Sequence, residues 1–230
     1  MTDEAVARLA KLETAVVSDV LDEMGYPNQV LCPSLRPLDP SQRMAGKALC
    51  ARGENRMTTM PAADKLPNPY EVERRMGPGM IAVVDAGGND TGAILGGFVA
   101  ISFKNVGCAG IVTNGGVRDS REIVELGLPT YCRFVTPING SRRFAIVEVG
   151  VPVVLPGIGG MTITVKPDDY LLGDADGAIV IPATIIGPVL EASETLDGIE
   201  RTITEGIRKG GTREQLFPGN PRFKHIPRLR

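Results

Sequence analysis

The stretch Ala109-Gly110-Ile111-Val112-Thr113-Asn114-Gly115-Gly116-Val117-Arg118-Asp119-Ser120-Arg121-Glu122 decides how the fold is read. Its apolar first half has the length and β-branched content of a buried strand. A Gly pair ends the run, and Ser120 to Leu126 suits a short helix stopped by Gly127. Arg118 and Asp119 are therefore expected at a strand-to-helix turn. Ligands favour such turns in α/β proteins, because the strand end is fixed and helix amides point outward.

Two readings of this turn stand side by side. In one, Asp119 caps the helix and Glu122 reaches back to the cap amide, a capping box worth roughly 0.5–2 kcal/mol. In the other, Asp119 and Glu122 offer oxygens to a hard cation while Arg118 holds an anionic oxygen. Gly115 and Gly116 would let backbone approach a ligand closely.

With 230 residues the chain can bury a large core in one or two domains. A formal charge of −2 argues against a nucleic-acid binder driven by phosphate contacts. Cys32, Cys50, Cys108 and Cys132 form no C-x-x-C pair and are expected as reduced, buried thiols. The opening Met1-Thr2-Asp3-Glu4 lacks the basic and apolar regions of a signal peptide, and no run reaches a membrane span. A soluble, cytoplasmic protein is expected. His225 is the only histidine, which disfavours Ser-His, Cys-His and multi-histidine zinc mechanisms. Any proton chemistry must then use carboxylates, Arg, Lys, Tyr, a metal or water.

Along the chain, Glu4–Glu13 suits an amphipathic helix. A second helix is expected after Ser18 as N-cap, with Gly25 as its stop. Lys47–Arg52 and Met80–Asp85 read as strands, the latter apolar enough to be covered on both faces. Segment 55–78 is a long polar insertion with a possible helix near Tyr70–Met76. After the glycine-rich turn Gly87–Gly92, a helix is expected from Ala93 to Asn105. The strand Ala109–Asn114 then closes a β-α-β unit. Neither G-x-G-x-x-G nor G-x-x-x-x-G-K-[ST] is present, so dinucleotide and P-loop folds lack support. Further strands are expected at 128–135, 144–154, 162–165 and 178–182. Gly173-Asp174-Ala175-Asp176-Gly177 lacks the downstream ligands of a calcium loop and reads as a tight turn. A helix runs from Ala183 toward Lys209, and the basic tail beyond is expected to be solvated. The whole reads as one compact α/β domain with helical extensions at 1–25 and 183–210.

Gly97, twenty residues, Arg118-Asp119, two residues and Glu122 together resemble the G-x20-R-D-x2-[E/D] pattern of the RraA-like family. Similar in order and character are Val17–Asp22, Met44–Ala48, Val83–Asp85, Leu128-Pro129, Thr136-Pro137 and Gly173–Gly177, so the likeness spans roughly residues 15 to 210. The family includes class II 4-hydroxy-4-methyl-2-oxoglutarate aldolases, oxaloacetate decarboxylases and ribonuclease-regulating RraA proteins. The resemblance implies a swivelling β/β/α, phosphohistidine-domain-like fold. It also implies a homotrimer or homohexamer with sites between subunits, and Mg²⁺ or Mn²⁺ as cofactor. By the family pattern Asp119 would ligate the metal and Glu122 hold its waters. A glutamate of the neighbouring subunit's C-terminal helix, best matched by Glu200 and next by Glu194, would complete the site. Arg118 would bind the keto or enolate oxygen of a pyruvate unit, and backbone around Gly96, Gly97, Phe98 and Val99 would take the carboxylate. Some family aldolases carry an aspartate at the position of Gly97 that helps protonate the enolate. Glycine cannot, which leaves that step to water or points to another substrate.

The expected function is a divalent-metal lyase that releases pyruvate from a 4-hydroxy-2-oxo acid, decarboxylates oxaloacetate, or both. The alternative is a non-catalytic regulator that docks a ribonuclease or another protein. A Schiff-base aldolase using Lys47 or Lys166 is a third idea, and it would resist EDTA.

Overall fold

The computed structural model describes residues 4–55 and 70–230. Most of the polar insertion expected at 55–78 thus lies outside the described residues. Helices α1 (Glu4–Leu9) and α2 (Thr14–Glu23) open the chain. Strands β1 (Arg36–Pro37) and β2 (Met44–Asn55) follow, then α3 (Glu71–Arg75) and β3 (Met80–Asp85). A short strand β4 (Ala93–Leu95) leads into α4 (Gly97–Asn105). Next come β5 (Gly110–Thr113), β6 (Gly116–Val117), α5 (Ser120–Glu125), β7 (Thr130–Cys132) and β8 (Phe134–Val135). Five more strands are β9 (Phe144–Val149), β10 (Val153–Pro156), β11 (Thr162–Val165), β12 (Tyr170–Gly173) and β13 (Ala178–Ile181). Helices α6 (Ile186–Arg208) and α7 (Arg213–Leu216) end the fold.

The main sheet runs β1-β7-β5-β3-β2-β12-β13, with β9 joined to the second half of β2. Strands β2, β3, β5 and β7 are mutually parallel, linked through α4 and α5. Alternate residues of each strand serve opposite faces. Ala82 and Val84 of β3 join the core under α3, α4 and α5, whereas Ile81 and Val83 join the core under the β10–β11 hairpin. At the β12–β13 edge, opposite the hairpin face, Tyr170, Leu172, Ile179 and Ile181 pack beneath α1, α2 and α6. This double coverage is why the Met80–Asp85 strand is apolar throughout.

Each of three parallel strands continues into a second, shorter one: β3 into β4, β5 into β6, β7 into β8. These three form their own parallel sheet in the order β4-β6-β8. The expected helix therefore begins at Gly97, not Ala93, because residues 93–95 pair with β6 instead. The single strand expected at 128–135 likewise splits at Arg133 between the two sheets. The strand expected at 144–154 breaks at Gly150, whose φ of 80° bends the chain from β9 into β10. Strand β12 was not anticipated.

The second helix begins at Thr14, four residues before the expected Ser18 cap. A distant carboxylate does the capping: Asp174 accepts from Thr14 N at 2.8 Å and from Thr14 Oγ1 at 2.7 Å. Asp174 sits in the β12–β13 turn, as expected for residues 173–177, and also accepts from Asp176 N at 3.0 Å. Gly25, at φ 89°, ends α2 as expected.

The basic tail is docked, contrary to the expectation of a solvated one. Arg222 reaches both Asp19 on α2 and Glu200 on α6. His225 Nε2 meets the Ala192 carbonyl at 3.0 Å, and the amides of Leu229 and Arg230 donate to the Met24 carbonyl. Phe223 and Ile226 add apolar contact to the α1–α2–α6 core. No helix among the described residues is long and apolar enough to cross a membrane.

Candidate active site

The small sheet builds the site. Parallel register sets Leu95 of β4 opposite Val117 of β6, so the next residues, Gly96 and Arg118, emerge side by side. Arg118 N donates to the Leu95 carbonyl at 3.1 Å and Thr136 N to the Val117 carbonyl at 3.0 Å. Three strand ends thus present Gly96-Gly97, Arg118-Asp119 and Thr136-Pro137 on one ledge. An open cavity of about 700 Å³ lies against it, lined by residues that include Asp119, Arg121, Glu122, Glu125, Thr136 and Pro137.

Asp119 occupies the N-cap position of α5 at φ 56°, ψ 37°, and its side chain makes no bond to that helix. The capping-box reading of Asp119 and Glu122 is therefore corrected. A left-handed cap turns the side chain away from its own helix, and Asp119 Oδ2 instead accepts the amide of Gly97, at 3.0 Å. The conformation costs on the order of 1 kcal/mol for a residue other than glycine. Arg118 Nε stands 3.4 Å from the same Oδ2, half-exposed, an ion pair worth little in isolation.

The first amides of an α-helix have no partner within it. In α4 the Gly97 amide goes to Asp119, while those of Phe98 and Val99 have no acceptor among the described residues. They are ready donors for an anion. The Phe98 ring is 84% exposed beside them.

Charge at the corner is out of balance. Arg121 pairs with Glu125 and Arg118 with Asp119, which leaves Glu122 without an ion-pair partner among the described residues. No group of three or more His, Cys, Asp or Glu side chains suited to a metal occurs among the described residues. A pair of carboxylates is nevertheless what Mg²⁺ commonly takes from a protein, with water and substrate oxygens filling the remaining positions. Asp119 and Glu122 both lie against the Gly97 backbone.

The structure brings together Gly96, Gly97, Arg118, Asp119 and Glu122. It does not bring Glu200 to them within one chain. Glu200 is on α6, which packs on α1 and α2, and its carboxylate is held by Arg222. Glu194, the second match, is paired with Arg8 at 2.8 Å. Lys47 lies over the Tyr170 ring at 5.3 Å, in the β2–β12 pairing of the main sheet rather than at the β4-β6-β8 ledge. Thr136 and Pro137 were not assigned a role from sequence, though the T-P pair directly after Phe134-Val135 was the available signal.

A family model described as Aldolase/RraA matches residues 14–180. The chain belongs to the RraA-like family. It is 33% identical over 180 residues to a protein of Halalkalibacterium halodurans named "Putative 4-hydroxy-4-methyl-2-oxoglutarate aldolase", covering 77% of this chain and 76% of that one. It is 31% identical over 132 residues to the 4-hydroxy-4-methyl-2-oxoglutarate aldolase of Thermus thermophilus, covering 57% of this chain and 77% of the relative. Among solved structures, RraAS2 of Streptomyces coelicolor superposes with a TM-score of 0.76 at 26% identity, covering 88% of this chain and 97% of that one. That protein is described as an unusual member of the RNase ES inhibitor RraA protein family. The RraA-like neighbours share this mixed α/β fold with helical termini.

Proposed function

We propose that this RraA-like chain is a lyase that cleaves a C–C bond beside a 2-oxo acid and releases pyruvate. Its substrates are a 4-hydroxy-2-oxo acid of the 4-hydroxy-4-methyl-2-oxoglutarate kind, oxaloacetate, or both. The observation that carries the reading is the ledge itself, where a guanidinium, two carboxylates and two open helix amides converge. Names of the relatives support the same class of reaction.

As the bond of a 4-hydroxy-2-oxo acid breaks, the 4-hydroxyl gives its proton to water and becomes a carbonyl. The electron pair moves onto the keto oxygen as an enolate, and water then protonates the enolate carbon to give pyruvate. Arg118 donates hydrogen bonds to that oxygen, where charge is greatest after cleavage. The amides of Phe98 and Val99 hold the carboxylate and so fix which oxygen faces Arg118. Asp119, fixed through the Gly97 amide, and Glu122 would hold Mg²⁺ or Mn²⁺. A bound divalent ion supplies positive charge at the keto and carboxylate oxygens. Loss of CO₂ from oxaloacetate leaves the same enolate, so one ledge serves both reactions. The ledge is open on its outer side, which fits a homotrimer or homohexamer in which a neighbouring subunit closes it.

The test is pyruvate release from a panel of 4-hydroxy-2-oxo acids and oxaloacetate, with Mn²⁺ or with EDTA. Metal-dependent turnover is the expected result. No turnover on any member would leave the regulator reading, which the likeness to RraAS2 keeps in view.

A further inference from the structure

Gly97 has a helical backbone inside α4 that any residue could adopt, so no conformational need accounts for a glycine there. Space accounts for it. A Cβ built on Gly97 would stand 1.7 Å from Glu122 Oε2 and 2.7 Å from its Cδ. The carboxylate of Glu122 thus fills the volume where the side chain of residue 97 would begin. Gly96 is alike: its φ of −146° is extended, yet a Cβ there would meet Asp119 Oδ2 at 2.7 Å and Arg118 Cγ at 2.8 Å. The two glycines form a bare floor on which three charged side chains lie.

We infer that Gly97 is a positioning residue for Glu122, and that the two form a matched pair. The glycine keeps open the seat from which the α5 carboxylate faces the ledge beside Asp119. A side chain at 97 and Glu122 in this seat exclude one another, so a substitution there displaces the α5 carboxylate. The atoms that a Cβ at 97 would strike are the far end of a flexible side chain, not backbone. A substitution at 97 therefore moves Glu122 and spares the fold. The effect on turnover rests on the lyase reading above; the steric pairing does not.

The test is a double-mutant cycle in the full chain, with Gly97→Ala, Glu122→Ala and both together. Mn²⁺ affinity is read by calorimetry, and the pose of Glu122 is read in a crystal structure of Gly97→Ala. Each single change is expected to weaken Mn²⁺ binding on the order of 10–100-fold, the usual effect of disturbing a metal's supporting shell. In the Glu122→Ala background, Gly97→Ala should add nothing. Equal losses from Gly97→Ala in both backgrounds would overturn the pairing, as would a Gly97→Ala crystal in which Glu122 keeps its seat. Should the unaltered protein neither bind Mn²⁺ nor release pyruvate, the lyase reading fails, and the crystallographic arm still decides the pairing.

Discussion

The amide of Gly97 donates to Asp119 Oδ2 across 3.0 Å, joining residues far apart in sequence. Through this bond Asp119 caps α4, the neighbouring helix, rather than α5, which it begins. Negative charge is favoured at that end of α4 by the helix dipole. The same bond fixes one carboxylate oxygen and leaves Oδ1 without a hydrogen-bond partner among the described residues. An aspartate used this way is both anchored and available, whereas the expected capping box would have consumed it.

Asp119→Gly separates these two duties. Glycine relieves the left-handed backbone, worth about 1 kcal/mol, but leaves the Gly97 amide of α4 uncapped at a similar cost, so thermal stability should change by no more than about 1 kcal/mol. Mn²⁺-stimulated pyruvate release should nevertheless be lost. A melting curve and a turnover assay on one preparation check this, and a variant that stays active would remove Asp119 from the site.

Arg118→Ala should lower kcat by roughly 10²–10³, the usual effect of losing one donor to a developing oxyanion. Arg118→Lys should restore only part of it, because a point charge replaces a planar fork. Melting temperatures should barely move in either variant, since the side chain's one ion pair is half-exposed.

Much of the fold was legible because strand and helix periods are local signals. Met80–Asp85, Thr162–Val165 and the long C-terminal helix fall where their patterns place them. The small β4-β6-β8 sheet was not legible, because strands of two or three residues carry no period of their own. Its pairing partners are the only thing that makes residues 93–95 extended. Site residues Arg118, Asp119 and Glu122 stood out by spacing, yet what Asp119 bonds to depends on that hidden sheet. The docking of Arg222 on Asp19 and Glu200 is equally non-local, and composition alone made the tail look solvated.

Asp174 offers a pH prediction with a definite sign. Burial opposes its ionisation, but hydrogen bonds from Thr14 N, Thr14 Oγ1 and Asp176 N outweigh that and hold the carboxyl below its ordinary 3.8. A group whose folded pKa is depressed stabilises above its unfolded value and loses that contribution as pH falls through the folded one. The protein should therefore lose this stabilisation only below about pH 4. Asp174→Ala should cost about 1–3 kcal/mol at neutral pH, by leaving the α2 amide and hydroxyl unpaired. Its urea midpoint should also fall less steeply on acidification than that of the parent chain.

Thiol reactivity should rank the cysteines. Burial pushes Cys50 up to about 12 and Cys132 up to about 11, and it raises Cys108 as well. The Ser34 hydroxyl hydrogen-bonded to Cys32 lowers that thiol, which is also the least buried of the four. Iodoacetamide at pH 8 should thus label Cys32 first in the folded protein, because the thiolate is the nucleophile. Mass spectrometry of tryptic peptides over time reads the order directly, and early labelling of Cys50 would contradict the packing described.

The ledge of three short strands also governs where this chain can change length. Adding or deleting one residue between β5 and β6, which only Asn114 and Gly115 separate, would shift one strand end by about 3.3 Å and turn its side chains to the opposite face. Gly96 would then no longer neighbour Arg118. The connection from β8 to β9 lies downstream of all three strand ends and is free of that constraint. Natural insertions in relatives should accumulate after Pro137 and be purged from residues 114–115.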